Sequence, residues 1–260
     1  MKIGFLICGS LPEPAIAAHG NYTELYKELL GGQDFSFESW NVFEGEMPNS
    51  PEDADGWLIS GSKFGAYEGH DWIPPLEEFV RATVAAAKPL VGICFGHQLI
   101  AQALGGKVEK FDGGWTIGRQ TYDFAGLDLP LMAWHQDQVT ELPEGAQVVA
   151  STDSCKYAAV LYGNRAFTMQ PHPEFDGETI EILSDINSAV VPKPLLDAAA
   201  EDINDPLSNE VIADQINSIT SSRNSSGIRY LTVVSSPLPT PRAAITVVII
   251  IKSVCQPTTA

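Results

Sequence analysis

Cys94 is the residue around which chemistry can be built. It stands in Gly92-Ile93-Cys94-Phe95-Gly96, between an apolar run at residues 90–93 and apolar residues at helical spacing (99, 100, 103 and 104). This G-x-nucleophile-x-G form marks a sharp strand-to-helix turn, where small residues on either side let neighbouring backbone pack close. The turn sets the cysteine beside a helix amino end, whose free N–H groups favour thiolate over thiol. A lone cysteine is more often a buried packing residue. The flanking glycines decide against that reading here.

A cysteine nucleophile needs a base to activate it and an acid to protonate the leaving group, and histidine serves both roles. The chain has five histidines. His172 stands out because Pro171 and Pro173 hold its backbone out of helix directly after a strand-like run. Glu174 can orient and charge-stabilise the imidazole, as the third group of a triad does. His97 shares a helix with Cys94 and is expected to point away, while His19 and His70 read as surface residues in polar loops. Cys94, His172 and Glu174 are the candidate catalytic set.

These residues need a scaffold. Strand-like runs at residues 2–8, 35–42, 57–59 and 90–93 alternate with helical patterns at 21–30, 72–87 and 96–104. Such alternation implies a mostly parallel sheet with right-handed crossovers, and chemistry in such sheets gathers at the carboxyl ends of the strands. Extended segments follow at 107–111, 119–124, 131–134, 147–151, 157–162 and 165–170, with Gly163-Asn164 as a two-residue hairpin turn. Helical patterns return at 176–187 and 209–219. The expected fold is α/β, an open and mostly parallel sheet with helices on both faces, plus a smaller antiparallel sheet in the second half.

Composition narrows the partners. With 260 residues, 44% of them hydrophobic, the chain can bury a large core, and a net charge of −18 disfavours nucleic acid and anionic membrane. Four cysteines without a C-x-x-C pair suit a reducing cytoplasm. The amino terminus reads as a first strand rather than a signal peptide, and the apolar run at 243–251 is too short to span a bilayer. A P-loop pattern and metal-spaced His/Cys clusters are both missing, so neither cofactor nor metal is expected. All 33 Asp and Glu residues end at Asp214, and a Ser- and Pro-rich stretch with a β-branched run follows. Residues 220–260 therefore read as an atypical tail, disordered or not native.

Five motifs in order resemble the class I glutamine amidotransferase family: LISGS at 58–62, GICFGHQLIAQALGG at 92–106, HQD at 135–137, STDSCKYAA at 151–159 and QPHPEF at 170–175. The likeness covers about residues 1–190, leaving 191–219 as a helical extension. GSKFGAYEGHDW at 61–72 and QPHPEF look most like free-standing members and γ-glutamyl peptidases. The resemblance implies a flavodoxin-like sheet and hydrolysis of a γ-glutamyl amide through a cysteine thioester. It makes Cys94 the nucleophile, His172 the acid/base and Glu174 its orienter. Backbone N–H groups of Gly61, Ser62 and Phe95 would form the oxyanion hole, and Gln98, Gln136 and Asp137 would hold the substrate's α-amino and α-carboxylate ends. Partners would be a small γ-glutamyl compound such as glutamine and, on a second reading, a separate synthetase fed with ammonia. A catalytically inactive regulatory homologue is the third.

Overall fold

The computed structural model describes residues 1–31, 34–163 and 166–221. Strand β1, Lys2–Ile7, shows why the first apolar run is continuous: Ile3, Phe5 and Ile7 enter one core cluster, while Leu6 enters a second on the other face. A strand covered on both sides has no need of polar alternation. Helices α1 (Glu13–His19) and α2 (Tyr22–Leu29) follow, then β2 (Ser36–Asn41) and β3 (Gly56–Ile59). Asn21 caps α2 in a capping box with Glu24, as the spacing predicts. Helix α1 is not among the helical patterns expected from the sequence. Its prolines stand at the N-cap and in the first turn, where a missing N–H costs nothing.

Helix α3 (Ile73–Ala85), strand β4 (Leu90–Ile93) and helix α4 (Phe95–Ala103) form the unit that carries the elbow. Beyond it lie β5 (Lys107–Lys110), β6 (Thr116–Phe124), β7 (Leu127–His135), β8 (Asp137–Glu141), β9 (Ala146–Ala150), β10 (Ala159–Tyr162) and β11 (Ala166–Met169). The main sheet has seven strands in the order β2-β1-β3-β4-β11-β10-β9. Pairing is parallel from β2 through to β11, and the β11–β10 and β10–β9 pairings are antiparallel, so β10 alone runs against the rest. The rest of the second half divides into two two-stranded sheets, β5-β8 and β6-β7. β6 and β7 outrun their expected bounds because Ala125 and Gly126, both at positive φ, close a tight hairpin that carries no Asn-Gly signal.

Helices α5 (Gly177–Ile186), α6 (Lys193–Glu201) and α7 (Asn209–Ser221) complete the described chain. They pack onto the body: Ala199 sits against Gly118, and Ile203, Ile212 and Ile216 join the same core cluster as β1. Among the described residues no helix is long and apolar enough to cross a membrane. The expectations for the tail beyond Ser221, and for Asn164 in the hairpin turn, fall outside the described residues.

Candidate active site

Cys94 sits where β4 gives way to α4, with φ 51° and ψ −103°. A non-glycine residue held there stores on the order of 1–3 kcal/mol of strain, so surrounding contacts must impose it. They do: the Cys94 N–H donates to the Met169 carbonyl at 2.8 Å, and the Gly96 N–H donates to the Ser60 carbonyl at 3.1 Å. The glycines are required by the backbone itself. A Cβ on Gly92 would come within 2.6 Å of the Gly96 carbonyl group, and one on Gly96 would overlap the Ile59 carbonyl oxygen. Gly96→Ala is expected to cost about 1–3 kcal/mol, the range for overpacking a core. Urea unfolding checks this, and an unchanged midpoint would show that β3 and α4 are not in the close contact described.

His172 follows β11 on the turn bounded by its two prolines, and its N–H donates to the Met132 carbonyl at 2.8 Å. Its ring stacks on Phe175 with centroids 4.1 Å apart and planes 4° apart. Nδ1 lies 2.8 Å from Glu174 Oε1, and both side chains are shut off from solvent, at 3% and 0% exposure. Burial alone would push this imidazole down, but the Glu174 carboxylate and the Cys94 sulfur together outweigh it and hold His172 up at about 10. Cys94 is the second partner of this imidazole, contributing both charge and a hydrogen bond. The structure thus brings the three expected residues together, with the imidazole in contact with both sulfur and carboxylate.

The 60–62 turn, at the carboxyl end of β3, is tied down on both sides. Ser60 Oγ accepts from the Cys8 N–H at 2.8 Å, and Ser62 Oγ donates to the Cys8 carbonyl at 2.7 Å. Gly61 is wedged so that a Cβ would meet Tyr22 Oη at 2.9 Å and His172 Cε1 at 3.0 Å. Its N–H donates to Tyr26 Oη at 3.3 Å. Among the described residues the N–H groups of Ser62 and Phe95 have no acceptor.

Gln98, on α4, is buried, and its amide nitrogen donates to the Asp137 carbonyl at 2.9 Å and to Gln170 Oε1 at 3.0 Å. It grips the 135–137 turn from behind. Gln136 is half-buried, and its carbonyl accepts from the Phe111 N–H at 3.1 Å. The Asp137 carboxylate accepts from Tyr67 Oη at 3.1 Å. Burial pushes Asp137 above the usual carboxylate range, and the Tyr67 bond and Lys110 only partly counter it. His135 is buried and driven down to about 3, first by burial and then by the charge of His172.

Residues that the sequence sets aside find other places. His97 donates or accepts at Thr168 Oγ1 at 2.7 Å, and burial pushes it down to about 3, so it stays neutral. Cys155 is buried with its thiol pushed up to about 12 by burial, and burial raises Cys8 further still. His19 ends α1 rather than lying in a loop, and Nε2 comes within 4.8 Å of ligand-type oxygens of Asp176 and Glu178. The expectation of no metal site did not anticipate that grouping. Tyr22 and Tyr26 carry no signal in the sequence, because a tyrosine on a helix face looks like core, whereas Tyr67 stands on an exposed turn within the 61–72 stretch.

Three comparisons bear on this geometry. The family model "Glutamine amidotransferase class-I" matches residues 31–185. The chain belongs to that family. A γ-glutamyl peptidase 4 of Arabidopsis thaliana is 31% identical over 205 residues, covering 72% of this chain and 80% of the relative. One subunit of a glutamine-hydrolysing GMP synthase from Halobacterium salinarum is 32% identical over 168 residues, 60% and 85% of the two chains. The crystal structure of a glutamine amidotransferase from Methylobacillus flagellatus superposes with a TM-score of 0.68 at 20% identity, over 84% of this chain and 92% of that one. Its likeness shows the fold, the flavodoxin-like sheet of class-I glutamine amidotransferases. The names of the family and relatives point to an enzyme of the glutamine amidotransferase class. Every candidate residue from Gly61 to Glu174 lies inside the matched segment, whereas Tyr22 and Tyr26 precede it.

Proposed function

We propose that this class-I glutamine amidotransferase hydrolyses γ-glutamyl amide bonds, in glutamine or a γ-glutamyl peptide, through a thioester on Cys94. The observation that carries the reading is His172 bridging the Cys94 sulfur and the buried Glu174 carboxylate, at a strained elbow. Cys94 Sγ, its proton passed to His172 Nε2, attacks the γ-carbonyl carbon, and the carbonyl π electrons move to oxygen. The oxyanion is met by the Ser62 and Phe95 N–H groups, which have no acceptor among the described residues. As the tetrahedral state collapses, the C–N bond breaks and His172 Nε2 hands its proton to the departing nitrogen. Water then enters, His172 takes one of its protons, and the hydroxide so formed displaces Cys94 from the thioester to give glutamate. Glu174 stays ionised and steadies the imidazolium.

In this reading Asp137 pairs with the substrate's α-ammonium, and the hydrogen bonds of its carboxylate to Tyr67 and of its backbone carbonyl to Gln98 support that role. That charge pair exists in ground and transition states alike. Asp137→Asn should therefore raise KM about tenfold or more with kcat within about threefold. A large fall in kcat at constant KM would move Asp137 into the bond-breaking machinery instead.

The likeness to a GMP synthase component favours a second reading, in which the ammonia passes to a separate synthetase. Incubation of the pure protein with glutamine and with γ-glutamyl dipeptides, measuring ammonia against released amine, separates the two. Fast amine release from dipeptides supports a free-standing peptidase. Slow, glutamine-only turnover supports an ammonia donor, and absence of turnover on both overturns the hydrolase reading.

A further inference from the structure

Tyr26 lies on α2, outside the β3, β4 and β11 ends that carry the other groups, and is fully buried. Its ring packs against Phe5 and Tyr22, with centroids 5.7 and 5.9 Å away. Its hydroxyl does something that packing does not require. Oη accepts the Gly61 N–H at 3.3 Å and donates to Glu174 Oε1 at 3.2 Å. That same carboxylate oxygen faces His172 Nδ1 at 2.8 Å, and Glu174 Oε2 has no partner among the described residues.

We infer that Tyr26 is a positioning residue that locks the oxyanion turn to the acid–base arm, so that both reach Cys94 in register. This rests on the hydrolase reading for its kinetic consequence but not for its structural one.

The direction of the bonds is fixed by chemistry. A phenol has one hydrogen, and Glu174, acceptor-only when ionised, takes it; the oxygen lone pair is then left for the Gly61 N–H. Burial and the adjoining Glu174 charge both hold the Tyr26 proton in place, so this polarity persists across the working pH range. Two consequences follow. With its N–H turned to Tyr26, Gly61 is held in one orientation, which aims the next N–H, that of Ser62, towards the site. With Oε1 shared between two donors, the carboxylate cannot swing about its last torsion, and His172 is presented to the sulfur at a constant angle. Side chains that preorganise a charge-stabilising site act on the transition state more than on substrate binding.

Tyr26→Phe keeps the ring and removes only the oxygen. Turnover of the better γ-glutamyl substrate should fall about tenfold in kcat with KM within twofold, the loss expected for one buried hydrogen bond felt in the transition state. Unfolding temperature should move by only a few degrees. A second readout needs no substrate. The proton NMR resonance of His172 Nδ1–H, assigned by its loss in His172→Asn, should move downfield in Tyr26→Phe, because Oε1 no longer divides itself between two donors. An unmoved resonance with wild-type kcat overturns the inference, as does a loss confined to KM. If the wild type turns over no γ-glutamyl compound yet the resonance moves as stated, the hydrolase reading fails while the positioning role of Tyr26 stands.

Discussion

Cys94→Ala is expected to lower hydrolysis of any γ-glutamyl substrate by at least about 10⁴-fold, the scale on which removal of a covalent nucleophile is felt. Folding should barely change, because the elbow's geometry is imposed by Met169, Ser60 and the glycine contacts rather than by the sulfur. A shift in unfolding temperature of no more than about 4 °C is expected. Labelling gives the same assignment independently. A glutamine-like chloroketone should modify wild type on the 92–98 peptide, since Cys94 touches His172 while Cys155 is buried with its thiol pushed up to about 12. Cys8 is buried as well, hydrogen-bonded to a carbonyl at 3.5 Å. An adduct on Cys155 with Cys94 untouched, or near-normal turnover by Cys94→Ala, would remove the thioester from the mechanism.

The elbow was legible because its demands are local. Two glycines and a cysteine at fixed spacing describe a turn that only one backbone path satisfies, and the path seen in β4 and α4 is that one. Parallel order was legible too, since both-faces-buried strands separated by helices leave few ways to cover the apolar surface. What sequence could not show depends on contacts across long stretches of chain. Tyr26 and Glu174 are 148 residues apart, and nothing in YTELYKEL marks one of its tyrosines as polar in function. The family resemblance implied a substrate contact for Gln98; that its amide nitrogen donates to the Asp137 carbonyl and to Gln170 is a pairing that no helical spacing reveals. β8 was missed for a related reason: Asp137–Glu141 finds its partner in β5, about thirty residues upstream, in a two-stranded sheet of its own.

Glu174→Gln should bring the second large loss, on the order of 10²- to 10³-fold in kcat/KM, with a change in pH dependence that identifies its cause. In wild type His172 is raised from 6.5 to about 10 despite its burial, with the Glu174 charge the leading reason. A neutral amide withdraws that support, and burial then pulls the imidazole down. The alkaline limb of kcat/KM, which reports the protonated His172 of the free enzyme, should accordingly move from near pH 10 to well below it. Stability should follow the same group. A histidine whose folded value is raised above its unfolded 6.5 contributes stability that is complete below 6.5 and fades as pH rises through about 10. The stability gap between wild type and Glu174→Gln should therefore be widest near pH 6, on the order of 3 kcal/mol for breaking a buried pair, and close as pH approaches 10. Denaturant unfolding at pH 6, 8 and 10 measures it directly. A gap that grows with pH, or an alkaline limb that stays where the wild type has it, would mean that Glu174 does not hold the charge on His172.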